Sequence, residues 1–432
     1  MRSAMEKRKF FDLLDRELVV ALGCTEPVAI AYAAALAGKY VQDAPAIHIK
    51  VSASVNVIKN AMAVGIPGTG ASGINLAAAL GLLARDTDKN LELLAGLTRE
   101  DIEKAKSMVV NGAVTVSIAN TDKKLYIEVV AESEHSYAKV IIADTHTNVV
   151  WIEADGRIIQ NNEVSCSHEN EPETNHDFMS LDAIWEFTRQ IPLAELDLIE
   201  RSIALNKQIG WEGLNHPYGL QVGRTIYNNM EKGLLSNDAA TYATALTAAG
   251  SDARMAGCSL PVMSNSGSGN QGISATLPVV AFAERLGVAA DIMIRAVTLS
   301  HLITIHIKLK FGRLSAICGA TISAVGAACG IAYLLGGGLT EIKFTIQNML
   351  GNVTGMLCDG AKTGCALKIA TCTSAAVQAA LVALGGISIQ ATDGIIETDP
   401  EGTIDNLCRL GNQGTAAADQ IILEILLKKE NC

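Results

Sequence analysis

The sequence predicts an α+β N-terminal part with an antiparallel sheet over residues 1–180, followed by an all-α domain over 181–432. Three observations carry this. Alternating apolar and polar runs are confined to residues 46–153, helical periodicity fills the chain from Leu181 onward, and the stretch between, 161–180, is polar, acidic and aperiodic. A chain of 432 residues also has room for two or three units at about 150 residues each.

The elements follow in order. Phe10, Phe11, Leu14, Leu18 and Val19 recur at helical spacing and predict a helix over 6–22. Gly23-Cys24-Thr25-Glu26-Pro27 is then a turn, with Thr25 suited to cap an Ala-rich helix reaching Lys39 and Pro27 tolerated in its first turn. Strands are predicted over 46–55, 113–119, 125–131, 138–143 and 148–153. The last four, with short polar turns such as Thr121–Lys124 and Asp155-Gly156, read as a meander of antiparallel hairpins. Helices fall at 71–84 and 98–109 between the first strand and the rest. Beyond Leu181, helices are predicted over 181–208, 219–233, 237–249, 274–287, 289–306, 314–335, 340–351, 363–385 and 411–429, with no strand.

Composition narrows the function. There are 34 Lys+Arg against 45 Asp+Glu, and no run of basic residues, which argues against nucleic acid as a partner. Hydrophobic residues make up 49% and aromatics only 4%, so the core must be closely packed Ala, Val, Ile and Leu. The N-terminus lacks a signal-peptide pattern, so a cytoplasmic location is expected. Ten cysteines there read as ligands, reactive thiols or small core residues rather than disulfides. The stretch Leu314–Thr340 carries one charge-free apolar run long enough for a membrane helix. It lacks aromatic belts and is interrupted by glycines, which favours a buried core helix and no membrane. Between Met255 and Thr392, eight basic residues outnumber four acidic ones, a local charge of +4 suited to a small anionic substrate.

Two glycine-rich strings stand out. Gly267–Gly272 matches GxGxxG, but Pro261 spoils the preceding strand and no βαβ unit surrounds it, so a dinucleotide fold is rejected. The longer string Ser264–Gly272 gathers hydroxyls, amides and backbone N–H groups ahead of a helix. That makes Ser266, Ser268, Asn270 and Gln271 candidate carboxylate-binding residues. Gly65–Ser72 has P-loop-like spacing with Ala71 where the phosphate-binding lysine belongs, which excludes nucleoside triphosphates and leaves Thr69 as a second anion-facing candidate. Cys358 and Cys365 stand seven apart beside Lys362 and Lys368, where thiolates are favoured. Cys24 and Cys318 each sit at a glycine and a helix start, whereas Cys329 and Cys372 read as core. Cys166, His168 and His176 lie in the acidic loop and read as solvated. His301 and His306, on one apolar segment, include a candidate acid, base or substrate contact.

Four strings taken together resemble the L-cysteine desulfidase family nearly end to end: Ala21-Leu-Gly-Cys24-Thr-Glu-Pro27, Ser54-Val-Asn56-Val-Ile-Lys59-Asn60 with Gly65-Ile-Pro-Gly-Thr69, Ser266-Gly-Ser-Gly-Asn-Gln-Gly272, and Cys358-Asp-Gly-Ala-Lys362 with Gly364-Cys-Ala-Leu-Lys368. The second half is also similar to the alpha part of iron–sulfur L-serine dehydratases, in which a Gly-Cys-containing helix precedes a Cys-Asp-Pro segment by about forty residues with another cysteine shortly after; here Cys318 and Cys358 are 40 apart, Gly360 stands in place of the proline, and Cys365 follows. The resemblance implies a [4Fe-4S] cluster used as a Lewis acid, and β-elimination from L-cysteine to pyruvate, ammonia and sulfide without pyridoxal phosphate. It implies Cys318 and Cys358 as ligands, with Cys24 or Cys365 as the third. Thr25 and Asn56 join the expected substrate contacts, and Lys59, His301 and Glu26 are the candidate bases. Cys432 is similar to a terminal cysteine that plugs an open iron. L-serine is the alternative substrate on the same scaffold, and a non-enzymatic membrane-associated protein is the competing class. A Gly/Ala-rich helical domain often dimerises, so a homodimer is expected.

Overall fold

The computed structural model describes residues 4–41, 47–84, 87–162, 178–312 and 316–430. The chain begins with α1 (Ala4–Glu17), β1 (Val20–Ala21), α2 (Thr25–Gly38), β2 (His48–Ala53), α3 (Val55–Ala61), α4 (Ile74–Ala84) and a 3₁₀ stretch over Thr87–Gly96. Then come α5 (Arg99–Val110), β3 (Val114–Ile118), β4 (Tyr126–Glu132), β5 (Tyr137–Ala143), β6 (Val149–Ala154) and β7 (Arg157–Asn161).

The six longer strands form one sheet in the order β3-β2-β4-β5-β6-β7. This corrects the expected meander in two ways. β3 pairs parallel with β2 instead of turning back onto β4, so the sheet is mixed rather than wholly antiparallel. The intervening α3–α5 segment explains it: a long helical crossover returns the chain in the same direction, which a tight hairpin cannot do. β7, unpredicted because Arg157–Asn161 is mostly exposed and lacks alternation, closes the far edge. β4 alternates along its length and β5 in its first half, with Ile127, Val129, Val140 and Ile142 turned inward and Ile141 and Ala143 buried with Val150 in a small separate cluster. α2 is apolar on every side, and it is buried between that face and α4. Its cap is Cys24 rather than Thr25, which is already helical.

The second half contains α6 (Leu181–Gln190), α7 (Asp197–Asn215), α8 (Val222–Glu231), α9 (Ala239–Met255), β8 (Val262–Met263), α10 (Gly269–Leu286), α11 (Ala290–Phe311), α12 (Gly319–Leu334), α13 (Leu339–Val353), α14 (Cys365–Leu384), α15 (Pro400–Arg409) and α16 (Ala416–Glu430). The predicted helix over 181–208 breaks at Pro192, which lacks an N–H and disfavours helix in the residue before it. The apolar run is α12, with Ile322, Val325, Ala328 and Ile331 buried in the helical core. α11 and α14 are long and apolar enough to cross a bilayer, and α11 is mostly buried. The acidic segment carrying Cys166, His168 and His176 falls outside the described residues, as does Cys432.

The two cores exchange their terminal helices. Phe10 of α1 stacks on Phe187 of α6, 4.5 Å between centroids, and joins the helical core with Leu13, Leu14 and Leu18. Leu423 of α16 returns to the sheet core, and α16 packs on α3. β1 and β8 form a two-residue antiparallel ladder across the same divide, a strand pairing too short to read from periodicity.

Two contacts in the helical core make measurable predictions. A Cβ at Gly326 of α12 would stand 2.2 Å from the carbonyl oxygen of Ser300 on α11. Gly326→Ala is expected to lower unfolding stability by about 3 kcal/mol, since rigid backbone cannot yield as a side chain does, and urea unfolding midpoints check it. Glu401 of α15 accepts from His306 Nε2 at 2.8 Å, Lys310 Nζ at 3.1 Å and the Leu181 amide at 2.9 Å. Burial opposes its charge, but these donors win and hold its carboxyl at about 2, below its ordinary 4.5. A depressed carboxylate adds stability above its unfolded pKa and loses it as pH falls through the folded one. Stability should therefore fall between pH 4.5 and about 2. Glu401→Gln should flatten that part of the acid-unfolding curve. His306 is thus committed to a helix–helix tie.

Candidate active site

The cysteine wall is built by a short ladder. Cys318 N donates to Met356 O at 2.9 Å, and Cys358 N donates to Ala316 O at 2.7 Å, with Ile317 bridged to Leu357 between them. Residues either side of a bridged pair project from the same face of a ladder, so Cys318 and Cys358 share one side. Cys318 is also the N-cap of α12, and a tight turn through Gly360 brings Cys365 to the start of α14. Cys372 lies two turns on along that helix, against the sulfur of Met356 at 3.6 Å. All four thiols are free.

These thiols feel one another. Burial, then the nearby Cys358, Cys365 and Cys372, push the Cys318 thiol far above its ordinary value. Burial likewise raises Cys365, and it raises Cys372 to about 12. Lys362 and Lys368 act against this but share their charge with Asp359, whose carboxyl they hold at about 2 despite its partial burial. Lys368 Nζ also donates to Leu357 O at 2.7 Å.

Beside it stands the Cys24 turn. Its thiol packs with Val64 and Met255 in a cluster that also takes in Ala361 and Cys365, so the two candidates for a third ligand lie in one cluster. Cys24 Sγ donates to Glu26 Oε2 at 3.1 Å, Thr25 Oγ1 donates to the same oxygen at 3.1 Å, and Asn60 Nδ2 donates to Oε1 at 3.0 Å. His146 Nε2 lies 4.0 Å from Oε1. Burial disfavours the Glu26 charge, but His146, Cys24 and Asn60 overcome it and hold the carboxyl below its ordinary value. Burial and that same carboxylate push the Cys24 thiol well up, while Arg254 pulls it down.

The Ser264–Gln271 loop closes the third side. Gly267 O, 3.0 Å from Thr25 Oγ1, is the alternative acceptor for the same hydroxyl proton and sets the loop against the Cys24 turn. Ser266 takes φ +49° and donates to Asn265 Oδ1 at 2.9 Å, and Ser268 caps α10 through Gln271 N. The Gln271 side chain lies against Gly319, immediately beside Cys318, where a Cβ would stand 2.9 Å from its Oε1. Asn270 Oδ1 and Gln271 Oε1 are buried without partners. His301 supports the loop from behind. Its Nδ1 takes a hydrogen bond from Asn265 Nδ2 at 3.0 Å, and its Nε2 meets Ser202 and Thr276 hydroxyls at 3.0 and 3.1 Å. Complete burial drops its pKa to about 3, so it is a neutral strut.

The remaining candidates are placed less centrally. Thr69 Oγ1 donates to Ile66 O at 2.8 Å and receives Ala71 N at 3.1 Å, spending its hydroxyl inside its own turn. Lys59 is buried in an ion pair with Asp419 of α16 and donates to the Cys358 carbonyl at 3.2 Å. Asn56 lines a cleft of about 530 Å³ with Ala316, Lys124 and Asp419, next to the cysteine ladder.

Sequence reasoning missed Arg254, His146 and Asp419. Arg254 had a signal: with Asp252 it is one of two charged residues inside the otherwise small and apolar stretch 239–256. His146 and Asp419 had none, because their role comes from a turn and a terminal helix folding back.

Among the described residues, no three His, Cys, Asp or Glu side chains close on a single ion-sized point. A multi-iron cluster asks instead for free soft thiols spread around one cavity. Cys318, Cys358 and Cys365 offer that donor set, three free thiols gathered at one ladder and the turn after it, and burial raises the Cys318 and Cys365 thiols so that a bound cation is what would hold them as thiolates.

The family model of the serine dehydratase alpha chain matches residues 88–424. The chain is 48% identical over 425 residues to a UPF0597 protein of Oleidesulfovibrio alaskensis, covering 98% of this chain and 99% of that one. It is 45% identical over 422 residues to a UPF0597 protein of Clostridium perfringens, covering 98% of each. A UPF0597 protein of Bacteroides fragilis is 40% identical over 425 residues, with 98% and 99% covered. The matched span includes Cys318, Cys358 and Cys365, the Ser264–Gln271 loop and His146, and by it the protein belongs to the serine dehydratase alpha chain family.

Proposed function

We propose that the protein is a cytoplasmic [4Fe-4S]-dependent lyase that removes the β-substituent of a small α-amino acid, with L-cysteine giving pyruvate, ammonia and sulfide. One observation carries this reading: Cys318, Cys358 and Cys365 gather near the Cys24–Glu26 turn and a loop in which Asn270 Oδ1 and Gln271 Oε1 are left unpaired. Cys318, Cys358 and Cys365 would hold the cluster, with Cys24 packed near Cys365. When bound, it supplies a Lewis acid for the departing sulfur.

The chain's own residues do the rest. Glu26 is the best placed of the three candidate bases. Lys59 is occupied by Asp419, and His301 is sealed behind the loop. Glu26 is kept ionised by His146 and Asn60, so it can take the α-proton. The electron pair of that C–H bond forms the Cα–Cβ double bond as the Cβ–S bond breaks. The aminoacrylate released then adds water and gives pyruvate and ammonia. Ser266, Ser268 and Asn265 fix the loop against the Cys24 turn, holding the substrate's α-carbon toward the base.

The family match favours L-serine as a second reading on the same machinery, with water as the leaving group. Protein purified without oxygen is the test. Iron and acid-labile sulfide should co-purify, and L-cysteine should yield sulfide and pyruvate in equal amounts. Pyruvate from L-serine at a higher kcat/KM than from L-cysteine would move the assignment to the second reading. Iron-free protein inactive on both would reject the elimination.

A further inference from the structure

The glycine-rich loop was expected to hold the substrate carboxylate, yet the groups it leaves unpaired are oxygens. Gln271 Nε2 is spent on Asn265 O at 3.1 Å, which leaves Oε1 as an acceptor facing the cysteine wall. An acceptor repels a carboxylate, so these two side-chain oxygens do not hold the anion.

Arg254 is where the structure leaves a positive charge without an anion. It lies in the last turn of α9, only 3% exposed, and it makes no hydrogen bond or ion pair with any described residue. A buried guanidinium in that state costs several kcal/mol unless something anionic joins it. Its neighbours sharpen the demand. The guanidinium lies on Gly269, the first residue of α10, so closely that a Cβ there would stand 2.3 Å from Nε. The amides of Gly269 and Asn270 have no acceptor among the described residues. Two positive features, an arginine and the amino end of an eighteen-residue helix, therefore face each other with nothing negative between them. Asp252, two residues back on α9, does not fill the gap, since its carboxylate is turned to the Gly223 amide at 3.0 Å.

The location is right for a substrate contact. Arg254 is close enough to Cys24 to pull its thiol pKa down, and Met255 packs on Cys24. Both glycine loops meet at this corner, because Gly65 N donates to Met255 O at 3.1 Å while Gly269 lies on Arg254 itself.

We infer that Arg254, with the free amides at the start of α10, binds the α-carboxylate of the substrate and is the main carboxylate-recognition residue of the site. The inference rests on the elimination reading for the identity of the ligand as an amino acid. The guanidinium supplies paired N–H donors that match a carboxylate, and the helix amides complete its lone pairs. Gln271 Oε1 then remains for the α-ammonium.

The test separates carboxylate from amine. Anaerobically purified protein is titrated calorimetrically with 3-mercaptopropionate, which keeps thiol and carboxylate, and with cysteamine, which keeps thiol and amine. Arg254→Gln is expected to weaken 3-mercaptopropionate by about 30-fold, as losing a charge-assisted pair does, and to leave cysteamine within about two-fold. Arg254→Lys should recover part of the loss, since charge returns without the bidentate geometry. Iron content should match the parent in both variants. Unchanged 3-mercaptopropionate binding in Arg254→Gln would overturn the inference. So would equal weakening of both probes, or no 3-mercaptopropionate binding by the parent. Failure of the elimination reading shows separately, as a parent protein that binds the carboxylate probe but releases neither sulfide nor pyruvate.

Discussion

Cys358→Ala is expected to strip the protein of iron, acid-labile sulfide and activity together, with activity falling at least about 1,000-fold. The size follows from the role. A Lewis acid at the leaving group is worth several kcal/mol of barrier, and about 4 kcal/mol is three decades of rate. The variant should still fold, because Cys358 is only partly buried and its ladder bond to Ala316 uses the backbone amide. Circular dichroism should therefore stay near the parent while visible absorption and iron disappear. Cys372→Ala is the control. It removes a thiol from the same helix face as Cys365, but one seated deep against Met356, and iron should be retained. Full activity of Cys358→Ala without bound iron would sink the mechanism.

The second large effect is expected at Glu26. Glu26→Gln keeps the shape and can still face Asn60, but it cannot take a proton. Loss of a general base typically costs about 10² to 10⁴ in rate. kcat should fall by that factor while iron content and the binding of 3-mercaptopropionate change little. A drop in KM-linked binding with kcat intact would instead make Glu26 a positioning residue. The thiol of Cys24 provides a second readout. Losing the neighbouring carboxylate removes one of the influences that push that thiol up, so its alkylation by iodoacetamide should quicken in the variant.

Much of this was legible in the sequence. The Ala-rich helix after Cys24, the alternation in β4 and the first half of β5 and the all-helical second half follow from periodicity alone. The pairing of Cys318 with Cys358 and the nearness of Cys365 came from resemblance and spacing, and the bridge between Ile317 and Leu357 gives them a physical basis. What stayed hidden depends on long-range return of the chain. β3 pairs with β2 across three helices, and no local pattern encodes which neighbour an edge strand will choose. His301 looked chemical because a histidine in an apolar helix is conspicuous. Its burial among Ser202, Thr276 and Asn265 makes it structural. Arg254 is the converse case: its charge in an apolar stretch marks it in the sequence, and the buried Nε without a partner gives that mark its meaning.

The exchange of terminal helices has a consequence for how the protein is made. α1 is made before its partners Ile184 and Phe187, which follow only after the whole sheet has been synthesised. The sheet core in turn waits for Leu423, made long after its last strand. Phe10, Leu13 and Leu14 therefore stay exposed at least until α6 is made, a state in which apolar surface recruits chaperones or aggregates. A stalled or truncated product lacking α16 would leave Lys59 buried without its carboxylate as well. The fold thus makes the sheet core depend on α16, and a nascent chain cannot complete that core until α16 has been made.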